Sequence, residues 1–236
     1  MSGVAAKRFW TASEVAPEDT GFGVRLDGRP LRTPAKTPLA VPSRAMAEAI
    51  AEEWAAQGER VDPLSMPVTR AANAAIDRVV PQFEEVCDHL AEYGETDLLC
   101  YRAESPESLV QRQNAGWDPL LDWAAERYGA PLERARGVMF VPQPDASLKA
   151  LSHVLRAFDP FELTAVHEFV TLTGSLILGL AAENHRMSMD DIWALSRLDQ
   201  RYQQEIWGVD AEAEQENDYK LQEFKRARRF LDLHRA

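Results

Sequence analysis

The chain has 236 residues, room for one large domain or two small ones around a sizeable core. Hydrophobic residues make up 45% and charged residues 27%, the balance of an ordinary soluble globular protein. Acids outnumber bases by 38 to 26, a net charge of −12, which argues against a protein whose main task is gripping nucleic acid or an anionic membrane, though not against a local basic patch.

Two cysteines, Cys87 and Cys100, cannot build a disulfide scaffold, and their spacing fits neither a CxxC redox pair nor a zinc knuckle. A reducing compartment follows as the expectation. The most apolar run, Ser175 to Ala182, is far shorter than the roughly 20 residues a bilayer-crossing helix needs. The first ten residues lack the apolar stretch of a signal peptide and the Arg/Ser-rich character of a transit peptide, so the expected location is the cytoplasm.

Along the first forty residues, Val24 and Leu26 precede Asp27-Gly28 and Leu31 and Thr33 follow, a pattern that predicts a β-hairpin. Pro30, Pro34, Pro38 and Pro42 confine this stretch to edge strands, turns and extended segments. The period changes at Ser43: Met46, Ile50 and Trp54 recur every four residues, with Ser43 as the expected N-cap and Gly58 as the expected stop. Beyond a Pro-bounded connector (Asp62, Pro63, Pro67), an Ala-rich helix is predicted over 68–80 and another over 83–93. For 96–101 the period does not separate strand from helical turn.

The second half is predicted to be mostly helical, with helices over 106–128, 147–157, 161–182, 188–207 and 211–233. Between the first two lies a β-like run, 137–141, closed by Pro142 and Pro144. The expected fold class is α+β, a small β-rich α/β domain over 1–95 followed by a helical domain over 96–236.

Motifs that carry chemistry are incomplete. Gly21-Phe-Gly23 begins a GxG but has Leu26 at the third glycine's place, and reads as a turn. His167-Glu168 opens like a zincin helix, yet Thr171 stands where the second metal ligand belongs. His89, His153, His185 and His234 share no ligand spacing. Gly174-Ser175 lacks the second glycine of a nucleophile elbow, and Thr173-Gly-Ser reads as a place for close helix packing. Both cysteines lie in apolar segments with no cationic neighbour to make a thiolate, so they read as buried structural residues. No catalytic residue, metal or cofactor is assigned.

What remains suits protein contacts. In the segment from Asp199 to Ala213, Gly208 is expected to break a helix and Asp210 to cap the next, with Glu212 and Glu214 favoured by the positive end of its macrodipole. That leaves Glu205 beside Trp207 unexplained, apart from an ion pair with Arg201 one turn back. The C-terminal bases Lys220, Lys225, Arg226, Arg228, Arg229 and Arg235 complement a helix dipole, with a nucleic-acid arm as the less favoured reading.

An ordered set of motifs resembles one known family. It runs from Arg8-Phe-Trp10 through the 24–36 segment and Pro38-Leu-Ala-Val-Pro42, then Ala51-Glu-Glu-Trp-Ala-Ala-Gln57, Met66-Pro-Val-Thr-Arg70 and Ala75-Ile-Asp-Arg78. Thr96-Asp-Leu-Leu-Cys-Tyr-Arg102, Gln113, Trp117-Asp-Pro-Leu-Leu121, Thr173-Gly-Ser175 and Glu205-Ile-Trp-Gly208 complete it. The chain is similar to the assembly chaperones of mitochondria and α-proteobacteria dedicated to the α subunit of the F₁ sector of ATP synthase.

The resemblance implies a non-enzymatic chaperone that shields the α-subunit surface later given to the β subunit. It implies a β-rich α/β domain joined to a helical orthogonal bundle, which agrees with the pattern above. Glu205 falls on the family's functional acid and Trp207 on its tryptophan; Asp210 and Trp54 join them as client-binding candidates. Where the family has Asp-Glu and a nearby Trp ahead of this motif, the chain has Asp199-Gln200 and Tyr202, which puts the weight on Glu205 alone. A bacterial, cytoplasmic, monomeric member is expected, its eukaryotic relatives lying in the mitochondrial matrix, with no nucleic-acid or membrane partner. The alternatives are a general protein-interaction module with another client, and an enzyme with an unrecognised site.

Overall fold

The computed structural model describes residues 7–236. The reading of the N-terminus as neither signal nor transit peptide rests largely on residues 1–6, outside the described residues. By its internal contacts the chain forms two compact units: one runs up to Phe83 and adds Pro160–Ala165 and Arg229–Ala236, the other comprises Glu84–Asp159 and Val166–Arg228.

The first unit begins with an antiparallel sheet. Strand β1 (Ser13–Glu18) pairs with β2 (Gly21–Leu26) in a register that sets Val15 opposite Val24. The short strands β3 (Arg29–Pro30) and β4 (Ala40–Val41) also pair with β2. The expected hairpin forms: Asp27 and Gly28 have φ of 49° and 78°, the two left-handed positions of the tight turn that matches strand twist. The Asp27 carboxylate accepts the backbone N–H groups of Ala12 (2.9 Å) and Thr11 (3.1 Å), which hold it below the usual carboxylate range. Gly21-Phe-Gly23 lies within β2, where a turn was expected. Gly21 is required there, since a Cβ would stand 2.3 Å from the Val41 carbonyl oxygen.

Val24 and Leu26 on β2 are buried, and helix α1 (Arg44–Ala55) packs on the sheet with Met46, Ala47 and Ile50 buried. Ser43 caps α1 as predicted, its Oγ accepting from Met46 N at 3.1 Å. The helix stops at Ala55, three residues before Gly58. The buried Gln57 side chain explains the early stop: Nε2 donates to Glu53 O (2.9 Å) and Oε1 accepts from Asp62 N (2.7 Å).

Glu53 also accepts from Val68 N (2.7 Å), Thr69 N (2.8 Å) and Thr69 Oγ1 (2.7 Å), capping helix α2 (Pro67–Ala74) from another element. The helix expected over 68–80 gives way at Ala75–Val79 to a π-turn closed by Val80 N to Ala75 O at 2.8 Å. The wider turn aims Asp77 at Thr33 Oγ1 (2.6 Å) and Ala35 N (3.1 Å).

The second unit takes in α3 (Phe83–Glu92) from Glu84 on. A 3₁₀ turn over Leu98–Cys100 then leads into β5 (Tyr101–Arg102), which settles the ambiguous 96–101 segment as both. Helix α4 (Glu107–Tyr128) follows, then β6 (Ala135–Arg136), parallel to β5, and α5 (Asp145–Arg156). The β-like run over 137–141 is a loop, because the ladder stops at Arg136 and Gly137 turns away with φ of 76°. The predicted 161–182 helix divides at Gly174 (φ 73°) into α6 (Pro160–Thr173) and α7 (Leu176–Glu183). The predicted 188–207 helix divides at Arg197 into α8 (Met189–Ser196) and α9 (Leu198–Trp207). There the guanidinium lies 4.3 Å over the Trp193 ring and donates to Leu172 O at 2.6 Å. The last helix, α10 (Ala211–His234), runs as predicted.

Every residue of α7 is buried, as befits a helix apolar on all sides. Its N-terminus is held by Ser175, whose Oγ accepts from Leu178 N (3.0 Å) and donates to the fully buried Asp97 (2.7 Å). Asp97 also accepts from Ile177 N (3.1 Å) and from Leu99 N (2.9 Å), so it caps the 3₁₀ turn and α7 together. The Thr173-Gly-Ser175 segment is therefore a capped break. Close packing falls to Gly179, where a Cβ would stand 2.5 Å from Val170 Cγ2.

Burial pushes both thiols up, Cys87 to about 11, in agreement with inert structural cysteines. Burial also raises Asp97 from its ordinary 3.8 to about 6, against the lowering effect of its hydrogen bonds. The fold thus favours protonated Asp97. The stability this group contributes is complete below about pH 4 and is lost as pH rises through about 6, by about 1.4 kcal/mol per pH unit inside that window. Melting of wild type and Asp97→Asn should therefore show a wild-type advantage that shrinks from about pH 4 to about pH 6 and is flat above. A difference independent of pH would refute the assignment.

Candidate functional site at the α9–α10 corner

Glu205, Trp207 and Asp210 lie together where α9 ends and α10 begins, all in the second unit. Gly208 breaks the chain as expected: its φ of 89° is left-handed, and its N–H closes the last turn on Gln204 O at 2.9 Å. Asp210 caps α10, with Oδ1 accepting from Glu212 N (2.9 Å) and Ala213 N (3.3 Å). Glu212 and Glu214 occupy the first turn, where the macrodipole favours them.

Trp207 is 81% exposed, and Ile206 and Val209 beside it are exposed as well. The indole is oriented by its own helix, its Nε1 donating to Gln203 Oε1 at 3.0 Å. The corner is thus an apolar knob on a capped helix junction.

Glu205 pairs with Arg112 on α4, and not with Arg201 as helix spacing suggested. Both carboxylate oxygens accept from Arg112 Nη1 at 2.8 Å. Arg112 is placed by tertiary packing: its guanidinium lies 5.1 Å over the Tyr202 ring, whose hydroxyl is 2.7 Å from Ser108 Oγ. Beneath this pair, Gln113 Nε2 donates to Asp199 Oδ1 (2.7 Å) on α9 and Trp117 Nε1 to Leu195 O (3.0 Å) on α8, while Ser108 meets Tyr202, so α4 runs antiparallel to α9. The Arg112–Glu205 side chains are each about half exposed, so water screens the pair and it is weak.

Trp54 belongs to the first unit, on α1. The Trp10 ring meets it edge-on at 5.1 Å and Trp10 Nε1 donates to Trp54 O at 3.3 Å, while Trp54 Nε1 is buried without a hydrogen-bond partner among the described residues. These contacts are packing contacts. Arg112, Gln203, Ile206 and Val209 were not singled out in the sequence. The one available signal was the pair of apolar residues flanking Trp207-Gly208 inside an acidic stretch.

Several of the quoted motifs meet as framework. Arg102 donates to Asn114 Oδ1 (3.0 Å), to Asp118 Oδ1 (2.5 Å) and to Leu99 O, and lies 5.0 Å over the Trp117 ring. Gln113 Oε1 accepts from Ala103 N at 2.8 Å. The C-terminal bases are largely spent inside the protein. Lys220 pairs with Glu216 (2.6 Å), Lys225 with Asp190 (2.7 Å) and Arg226 with Glu223, while Arg228 donates to the carbonyls of Ala182 and Glu183. A cavity of about 380 Å³ lies among Leu98, Thr173, Ser196, Arg197 and Lys220. Its two cations are already engaged, Arg197 on Leu172 O and Lys220 on Glu216.

Two outcomes follow from this geometry. Asp210→Ala should destabilise the protein by about 1 kcal/mol in denaturant titration, the usual worth of an N-cap. A double-mutant cycle of Arg112→Ala and Glu205→Ala should give a coupling of less than about 1 kcal/mol, falling further in high salt. A coupling of several kcal/mol would mean that the pair holds the corner together.

A family profile described as "ATP12 chaperone protein" matches residues 7–125. In sequence, the chain is 24% identical over 216 residues to the mitochondrial protein atp12 of Schizosaccharomyces pombe, covering 86% of this chain and 74% of the relative. In structure, it matches Atp12 from Paracoccus denitrificans with a TM-score of 0.94 at 50% identity, over 97% of this chain and 98% of that one. A single-residue mutant of the Paracoccus protein matches with the same TM-score at 49% identity, over the same shares of both chains. The chain belongs to the ATP12 chaperone family, the F₁ assembly chaperones that its ordered motifs resemble.

Proposed function

We propose that the protein binds the newly made α subunit of the F₁ sector and shields the surface that the β subunit later covers. It acts by binding, without catalysing a reaction, and family membership supports that reading. The observation that carries the site is the exposure of Ile206, Trp207 and Val209 on a rigid, capped corner beside Glu205. A tryptophan this exposed contributes little to its own fold and has the character of an interface anchor.

Glu205 supplies the polar half of the contact, accepting from a cation or backbone donor of the client. In the free protein Arg112 occupies it, and because that surface pair is worth at most about 1 kcal/mol, exchange for a client group costs little in either direction. Asp210 serves the site by fixing where α10 starts, and hence the direction in which the corner projects. Trp54 contributes packing in its own unit. The net charge of −12 keeps the chaperone soluble while it holds an apolar client.

Separately expressed α and β subunits distinguish the outcomes. Wild type should capture α and leave β. Trp207→Ala should weaken α capture by roughly thirtyfold, an anchor's worth of about 2 kcal/mol. Glu205→Ala should weaken it less and with a smaller salt dependence. Equal capture of the two subunits, or of neither, would sink the reading.

A further inference from the structure

The loop after β6 carries three large apolar side chains in succession that contribute nothing to the core. Val138 is 96% exposed, Met139 78% and Phe140 60%. Loop tips in an acidic, charge-rich protein are ordinarily polar, and a contiguous exposed apolar cluster marks an interaction surface.

The base of this loop is fastened on both sides. Gly137 N donates to Arg102 O at 2.9 Å, and Arg134 pairs with Asp118 (3.4 Å) and with Asp122. On the return side the buried Gln143 spans the loop: its Oε1 accepts from Glu133 N (2.7 Å) and its Nε2 donates to Glu133 O (3.2 Å). Pro142 and Pro144 restrict the returning chain further. Only the tip projects, so little ordering entropy remains to be lost on binding.

The loop belongs to the same unit as the α9–α10 corner, and contacts along α4 connect the two. Trp117 meets Leu195 on α8, and Gln113–Asp199 and Ser108–Tyr202 set α9 antiparallel to α4, which brings the end of α9 beside the start of α4. The loop is tied to the strand that leads into α4: besides its bond to Arg102, a Cβ on Gly137 would stand 2.7 Å from Glu104 Oε1. The five Cα–Cα steps from Arg102 to Glu107 span at most about 18 Å.

We propose that Val138, Met139 and Phe140 form a preformed apolar finger that, with the Trp207 corner, makes one docking face for the F₁ client. This rests on the reading that the corner binds the α subunit. Two considerations on size and charge choose the occupant. A stable protein interface buries about 800 Å² on each partner, more than three apolar residues at a helix corner offer, and the finger extends the face. A second copy of the chain is disfavoured: a two-fold contact would set Glu205, Asp210, Glu212 and Glu214 against themselves in molecules of charge −12. The fitting partner surface is apolar at its centre and basic at its rim.

The test uses the full chain and separately expressed α and β subunits. The triple variant Val138→Ser, Met139→Ser, Phe140→Ser should melt like wild type, because its side chains are outside the core. It should bind α at least tenfold more weakly and protect α less from aggregation. Independently of any variant, hydrogen exchange of wild type should slow at residues 138–141 when α is added. Binding of the triple variant within twofold of wild type, or unchanged exchange in the loop while α is bound, overturns the finger and leaves the α-chaperone reading standing. Failure of wild type to hold α overturns both. Loss of self-association in the triple variant, seen by sedimentation without client, would assign the face to a second copy and also overturn the proposal.

Discussion

A carboxylate sealed away from water sits at the start of a helix that is itself entirely buried, and the second unit is organised around that contact. Helix α7 has no exposed face on which its unpaired N-terminal amides could meet solvent. Ser175 and Asp97 satisfy them from inside, and Asp97 reaches back to Leu99 to close the 3₁₀ turn on its own segment. Unpaired, each such buried amide would cost about 1–3 kcal/mol. The same residue therefore fixes where α7 begins and how the 96–102 segment enters β5, and β5 in turn places Arg102, Gly137 and the base of the exposed loop.

The use of an acid as a backbone acceptor recurs through the molecule. Asp27 takes the amides of Thr11 and Ala12, Glu53 those of Val68 and Thr69, Asp77 that of Ala35, and Asp210 those of Glu212 and Ala213. Part of the acid excess thus works as structural punctuation, holding helix starts and turns both as local caps and from distant segments. Basic residues do the converse: Arg197 and Arg228 are directed at helix-end carbonyls. A share of the charge that looks from composition like a surface property thus serves backbone hydrogen bonds.

Against this framework the exposed apolar residues stand out because nothing inside the fold requires them. The corner of Ile206, Trp207 and Val209 is held by caps on both sides of Gly208, and the 138–140 tip is held by Gln143 and by the short β5–β6 ladder. Rigid mounting with apolar ends is the arrangement expected of a protein that lends a surface to a partner and then withdraws. The Arg112–Glu205 pair suits the same task, since it satisfies a charge in the free state and yields it at small cost.

Local information determined the hairpin at Asp27-Gly28, the Ser43 and Asp210 caps, the break at Gly208 and most helix spans, because each depends on φ preferences and side-chain reach within a few residues. Several of the motifs that carry the family resemblance meet in space, such as Asp97 with Ser175 and Arg102 with Trp117 and Asp118. Other features were settled by partners far along the chain. Gln57 ends α1 early, Asp97 and Ser175 divide the predicted 161–182 helix, and Arg112 displaces Arg201 as the partner of Glu205. The exposure of residues 138–140 was illegible for the same reason. An apolar run reads as core or strand from its composition, and only the neighbours it finds on folding decide whether it is covered.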